Sequence, residues 1–201
     1  MRSLQGILLA AGQSQRFGSD KLQHRLADGT PMVLAAARCL QAVLPHSIAV
    51  IRPDAGELAT LLQAQGLTLV VNPQATDGMG GSIACAVQAS HQASGWVIAL
   101  GDMPFIRPAT IQQVVDGLQQ GAVLSAPVYQ GQRGHPVGVA AECGDWLAQL
   151  SGEQGASRLF QLLPPEKIRL FSVADAGVCR DIDWPHDLDK NTDGNAVLAN
   201  P

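Results

Sequence analysis

Residues Leu8 to Lys21 read LLAAGQSQRFGSDK, and the order of apolar, small and cationic residues here decides the fold. Gly6-Ile7-Leu8-Leu9-Ala10 has the length and composition of a buried parallel strand. It runs directly into a loop holding Gly12, Ser14, Arg16, Gly18 and Lys21. A strand ending in small residues presents backbone N–H groups, and glycine lets a ligand approach them closely. Arg16 and Lys21 add two cations, so the loop suits a polyphosphate. Two familiar phosphate loops fail on spacing. A Walker A loop places Lys directly after its second Gly, whereas Ser19 and Asp20 stand between Gly18 and Lys21. The dinucleotide fingerprint G-x-G-x-x-G has Ser14 where its second Gly belongs.

Outward from this loop, candidate strands and helices alternate. Pro31 to Val43 reads as a helix, Ser47 to Arg52 as a strand, Ala55 to Gln65 as a helix closed by Gly66, and Leu67 to Val71 as a strand. Ser82 to Ala93, Trp96 to Leu100 and Pro108 to Leu118 continue as helix, buried strand and helix, and Gly121 to Ala126 leads into a further strand. This βαβα order predicts an α/β fold, a mostly parallel sheet with helices on both faces. The second half reads differently. Val128-Tyr129 and His135 to Ala140 flank a hairpin loop, Gln130 to Gly134. Helices at Glu142–Leu150 and Ala156–Leu163 and a strand at Lys167–Val173 follow. Residues 1–190 are expected to form one domain and 191–201 a flexible tail.

The chain has 201 residues, 46% apolar and 15% charged, with a net charge of −4. That balance argues against general nucleic-acid binding. No apolar run is long enough to span a bilayer and no signal-peptide pattern is present, so a cytoplasmic protein is expected. Cys39, Cys85, Cys143 and Cys179 are scattered without metal-ligand spacing and read as reduced thiols, Cys39 and Cys85 as small core residues.

Leu100-Gly101-Asp102-Met103-Pro104 places a carboxylate directly after an apolar strand, at the sheet edge where open α/β proteins bind ligands. Asp102 there suits Mg²⁺, a hard cation that takes carboxylate, water and phosphate oxygens. Asp181 and Asp183 alternate along an extended segment, so one faces the site; Asp183 is favoured, with Asp187 either solvated or a cap. Asp77-Gly78-Met79-Gly80-Gly81-Ser82 opens a helix with its amides offered to a base edge or anion. Ser82 is an N-cap or a ligand donor, and Met79 packs beneath the loop. Arg133-Gly134-His135-Pro136 suits an anionic substrate.

Together LAAGQSQRFGSDK, DGMGGS, GDMP, RGHPV, GEQGASRL and DIDWPHDL resemble the MobA-like nucleotidyltransferases, and within them the molybdenum cofactor cytidylyltransferase branch, across residues 4–190. The resemblance implies a Rossmann-like, glycosyltransferase-A-type fold and transfer of CMP from CTP to a molybdopterin-type cofactor with release of pyrophosphate. It implies Arg16, Lys21 and Asp102 as catalytic residues. Leu9, Ala10, Ala11, Gly12, Arg16, Lys21, Gly78 and Ser82 would bind nucleotide, Asp102 and Asp183 would hold Mg²⁺ or Mn²⁺, and Arg133 and His135 would bind the acceptor. A recipient molybdoenzyme is an implied partner. The guanylyl branch typically carries LAGG, so Ala11 stands where that branch has its first Gly, and DGMGGS resembles the cytosine-contacting loop of methylerythritol phosphate cytidylyltransferases. Two departures stand out: Phe17 replaces the usual Met, and GEQGASR replaces G-D-x-G-A-R, which shifts Arg158 by one residue, about 100° on a helix. Three alternatives stay open: a guanylyltransferase, a transferase for another small phosphorylated acceptor, and a non-catalytic cofactor-delivery protein.

Overall fold

The computed structural model describes residues 3–12, 20–184 and 187; Ser14, Arg16, Phe17, Gly18 and the segment 191–201 lie outside them. The described residues form a mixed, mostly parallel eight-stranded sheet flanked by helices. The strands are β1 (Leu4–Leu9), β2 (Ile48–Ile51), β3 (Thr68–Val71), β4 (Gly95–Leu100), β5 (Leu124–Tyr129), β6 (Gln132–Arg133), β7 (Val137–Ala140) and β8 (Ile168–Ser172). Their order is β3-β2-β1-β4-β7-β5-β6, with β8 parallel to β5. Strands β1 to β4 run parallel, whereas β7 lies antiparallel between β4 and β5. After β3 the chain crosses back to pair β4 with the free side of β1. The strand order therefore reverses between β1 and β4, and a crevice opens at their carboxyl ends.

Helices α1 (Met32–Gln41), α2 (Gly56–Ala64) and α4 (Pro108–Gln119) pack on one face, and α3 (Met79–Ala89), α5 (Gly144–Leu147) and α6 (Leu159–Leu162) on the other. Period-two alternation assigns each strand residue its side. Leu8, Ala10, Val97 and Ala99 enter the first core, while Ile7, Ala11, Trp96 and Ile98 enter the second. Both faces are covered, which is why these strands read as unbroken apolar runs.

The second half departs from expectation in detail. Gln130 and Gly131 both have positive φ (49° and 81°), so the chain reverses in two residues and Gln132–Arg133 pairs back onto β5 instead of remaining loop. The helix expected over Glu142–Leu150 is a 3₁₀ turn followed by the four-residue α5, and Ala156–Leu163 divides in the same way.

Asp175 ties this half to α4. Its carboxylate is 3% exposed and accepts hydrogen bonds from the Arg107 amide (2.9 Å), the Thr110 hydroxyl (2.7 Å) and the Gly177 amide (3.1 Å). A negative charge at the amino end of a twelve-residue helix is also favoured by the helix dipole. Asp175→Ala leaves those donors without an acceptor and is expected to cost about 3 kcal/mol. Urea denaturation should read that loss as a lower midpoint with an unchanged m-value.

Candidate active site

Strand pairing brings the two strongest sequence motifs together. Leu9 and Leu100 are register partners at the ends of β1 and β4, and the Gly101 amide donates to the Leu9 carbonyl (2.9 Å). A side chain at Gly101 would press on that carbonyl (3.1 Å) and on Leu22 and Val33. Asp102 thus leaves β4 beside the end of β1. The third segment is held by backbone: the Ile182 amide donates to the Asp102 carbonyl (3.0 Å), and the Ile182 side chain is fully buried. Asp183 follows at once and faces the same point, while Asp181 is exposed, as alternation requires. Asp187 acts as a cap, accepting from the amides of Asp183 (3.2 Å) and Trp184 (2.9 Å).

At the centre, Lys21 Nζ donates to Asp102 Oδ2 at 2.9 Å and to Asp183 Oδ1 at 2.8 Å. Burial works against the ammonium charge, but the two carboxylates outweigh it and hold Lys21 above its ordinary range. The second Asp102 oxygen, Oδ1, is buried with no hydrogen-bond partner among the described residues. An orphaned carboxylate oxygen beside a second carboxylate is a donor set suited to a hard cation. Among the described residues no three His, Cys, Asp or Glu side chains cluster as a dedicated cage. The pair therefore suits an ion that completes its shell with phosphate and water, as Mg²⁺ does.

A cavity of about 340 Å³ opens over Lys21 and Asp102, and Asp183 is not among its lining residues. Leu9, Ala11, Gly12, Lys21, Gly78, Ser82 and Asp102 line it, which accounts for most of the expected nucleotide residues. Ala10 does not line it; alternation sends its methyl into the core on the α1 side. Ser82 is not the N-cap of α3, a position held by Gly78. Met79 is 39% exposed and lines the cavity rather than packing beneath the loop. Gly78 has φ +110°, and a side chain there would collide with the Gly152 backbone. The Gly80 amide donates to the Gly152 carbonyl (2.8 Å). The late glycine motif is therefore seated on the first glycine-dense loop, and Glu153 joins the cavity wall.

Sequence reading missed Arg52. It donates to the Gly12 carbonyl (3.3 Å) and Asp20 (2.8 Å), tying these two residues to the end of β2, and also bonds Asp54 (3.0 Å). Its only signal was a cation directly after the β2 run. Arg133 is exposed, with its guanidinium stacked 3.9 Å from the Phe160 ring centroid. The His135 amide donates to the Val178 carbonyl (2.8 Å), and ring Nδ1 is buried without a partner among the described residues. Burial pushes the His135 imidazole below its ordinary value, while Asp102 partly opposes the shift. The four cysteines are free thiols, each raised above its ordinary value chiefly by burial.

An open α/β sheet with a glycine-rich strand end, a cation and paired carboxylates in its reversal crevice defines a nucleotide-binding protein. The chain belongs to the MobA-like NTP transferase domain family, whose model matches residues 6–168. Similar proteins include purine catabolism protein PucB of Bacillus subtilis (strain 168), 28% identical over 94% of this chain and 97% of that one. Nicotine blue oxidoreductase of Paenarthrobacter nicotinovorans is 26% identical (89% and 91%), and a probable molybdenum cofactor guanylyltransferase of Thermococcus sibiricus 31% (59% and 58%). Among solved structures, Rv0371c from Mycobacterium tuberculosis H37Rv superposes with TM-score 0.77 at 25% identity, covering 93% of this chain and 96% of that one. No helix among the described residues is long and apolar enough to cross a membrane.

The His135 shift has a sign. Folded His135 binds its proton less readily than unfolded histidine, with an ordinary value of 6.5. Below that value the unfolded chain carries more protons, so stability falls as pH drops. His135→Gln is expected to lessen the loss of urea stability between about pH 7.5 and about pH 5.5, relative to the parent chain.

Proposed function

We propose that this protein transfers CMP from CTP to the terminal phosphate of a molybdopterin-type acceptor, releasing pyrophosphate. The observation that carries the reading is the Lys21 ammonium set between Asp102 and Asp183 beneath a glycine-lined cavity. An acceptor phosphate oxygen attacks the α-phosphorus in line, the α–β bridging bond breaks and pyrophosphate leaves with the electron pair. Lys21 and Arg16 offset the negative charge gathering on that leaving group. Amides following Leu9 hold the triphosphate, and Gly12 lets its oxygens come close. A phosphate nucleophile is already ionised at neutral pH, so catalysis rests on positioning and charge compensation rather than on a general base. A divalent cation, Mg²⁺ or Mn²⁺, held by Asp102 and Asp183 would supply further charge neutralisation at the reacting phosphate. Neutral His135 and exposed Arg133 are assigned to the acceptor side.

Ala11 supports CTP over GTP. It is 3% exposed, lines the cavity, and occupies the position where the guanylyl branch carries Gly. The relative named as a guanylyltransferase favours the second reading, GMP transfer to the same acceptor. A recipient molybdoenzyme would take the product, and the cytoplasm is the assigned compartment.

The test is pyrophosphate release with molybdenum-loaded molybdopterin, Mg²⁺, and CTP or GTP in parallel. Turnover with CTP and little with GTP is the expected outcome; the reverse preference would replace the cytidylyl reading with the guanylyl one. Asp102→Ala should abolish turnover while thermal unfolding stays close to the parent's. Lys21→Ala removes one charge-assisted contact of roughly 1.5–3 kcal/mol, so kcat/KM for CTP should fall at least about tenfold. Ala11→Gly opens the cavity by a methyl group and should shift the CTP-to-GTP ratio of kcat/KM toward GTP by about tenfold.

A further inference from the structure

Asn72, the residue after β3, is 1% exposed and has no part in the chemistry above. Its Oδ1 accepts the Gln74 backbone N–H at 2.9 Å. A backbone amide can only donate, so the orientation of the side-chain amide follows from this bond. Nδ2 therefore faces Ser82 and donates to its Oγ at 3.0 Å. The Cys85 thiol also points to Oδ1, at 3.7 Å. Ser82 itself is 4% exposed and lines the nucleotide cavity.

A serine hydroxyl has one proton and two lone pairs. With one lone pair receiving Nδ2–H, the proton must point elsewhere, and no acceptor meets it among the described residues. We infer that Asn72 is a positioning residue that fixes Ser82 as a hydrogen-bond donor into the cavity, aimed at an acceptor atom of the nucleotide base. This inference rests on the reading of the cavity as a nucleotide site. Cytosine suits such a donor because its pairing edge carries two acceptors, the O2 carbonyl and the unprotonated N3. The amide acts through the hydroxyl; it does not touch the base.

Asn72→Asp is the sharpest variant because it preserves shape. The carboxylate still accepts from Gln74 but now also accepts from Ser82, which turns the hydroxyl proton away from the cavity. Calorimetric titration of the full chain with CTP and Mg²⁺ should show affinity falling about tenfold, the worth of one net hydrogen bond. Inorganic tripolyphosphate, which has no base, should bind as it does to the parent. Ser82→Ala should lose CTP affinity by a similar factor, and the double variant should lose little more than either single one. Asn72→Ala frees the hydroxyl to rotate instead of reversing it. It is expected to lose less CTP affinity, and it carries the test if the aspartate variant does not fold. Unchanged CTP affinity in a folded Asn72 variant, or equal weakening toward tripolyphosphate, would overturn the inference and leave nucleotidyl transfer standing. A parent chain that binds GTP and not CTP would overturn the cytidylyl reading instead, and the same cycle run with GTP would still judge Asn72.

Discussion

The Lys21 ammonium joins parts of the chain that are 81 and 162 residues away, and the site exists only where those parts meet. Its neighbours are two carboxylates that would otherwise face each other in a partly buried cleft. Like charges in such a place raise each other's energy steeply, and a cation between them turns that repulsion into attraction. The balance is incomplete: counting these three groups, two negative charges face one positive, and Asp102 Oδ1 has no partner among the described residues. That remainder makes the place suited to a substrate that brings its own cation.

What allows the three groups to meet is sheet topology, not local conformation. Reversal of strand order around β1 leaves a crevice between it and β4, and register puts Leu9 opposite Leu100. Backbone hydrogen bonds then complete the alignment, from Gly101 to Leu9 and from Ile182 to Asp102. Lys21, Asp102 and Asp183 are thus carried by a frame whose own groups are satisfied, which keeps them in place without consuming their bonding capacity. The same division holds on the other wall. Gly78 and Gly80 have no side chain because the Gly152 region lies against them. The close fit of two glycine loops brings Glu153 into the cavity and leaves Ser82 between the cavity and Asn72.

Much of this was legible beforehand. Unbroken apolar runs signalled strands covered on both faces, and small residues after β1 and β4 marked the carboxyl edge where ligands bind. Alternation put Asp183 and Asp181 on different sides, and in the structure Asp183 bonds Lys21 while Asp181 is exposed. Other features were not legible for definite reasons. Whether Gln132 and Arg133 are loop or strand depends on a positive φ at Gln130, which a non-glycine residue does not advertise. Ala10 and Ala11 look equivalent in a list, yet they enter cores on opposite faces of the sheet, and of the two only Ala11 also lines the cavity. Arg52 and Asn72 carry no motif, because their roles are defined by partners distant in space.

By itself, the order of residues determined the α/β class, the strand that ends in small residues, and the presence of carboxylates and a cation next to strand ends, since these follow from periodicity and residue type close along the chain. Only the tertiary structure decided which carboxylate oxygens Lys21 neutralises, which it leaves over, and which loop forms the wall opposite. Those outcomes depend on strand register and on contacts between segments far apart in sequence, and no local pattern encodes a distance between them.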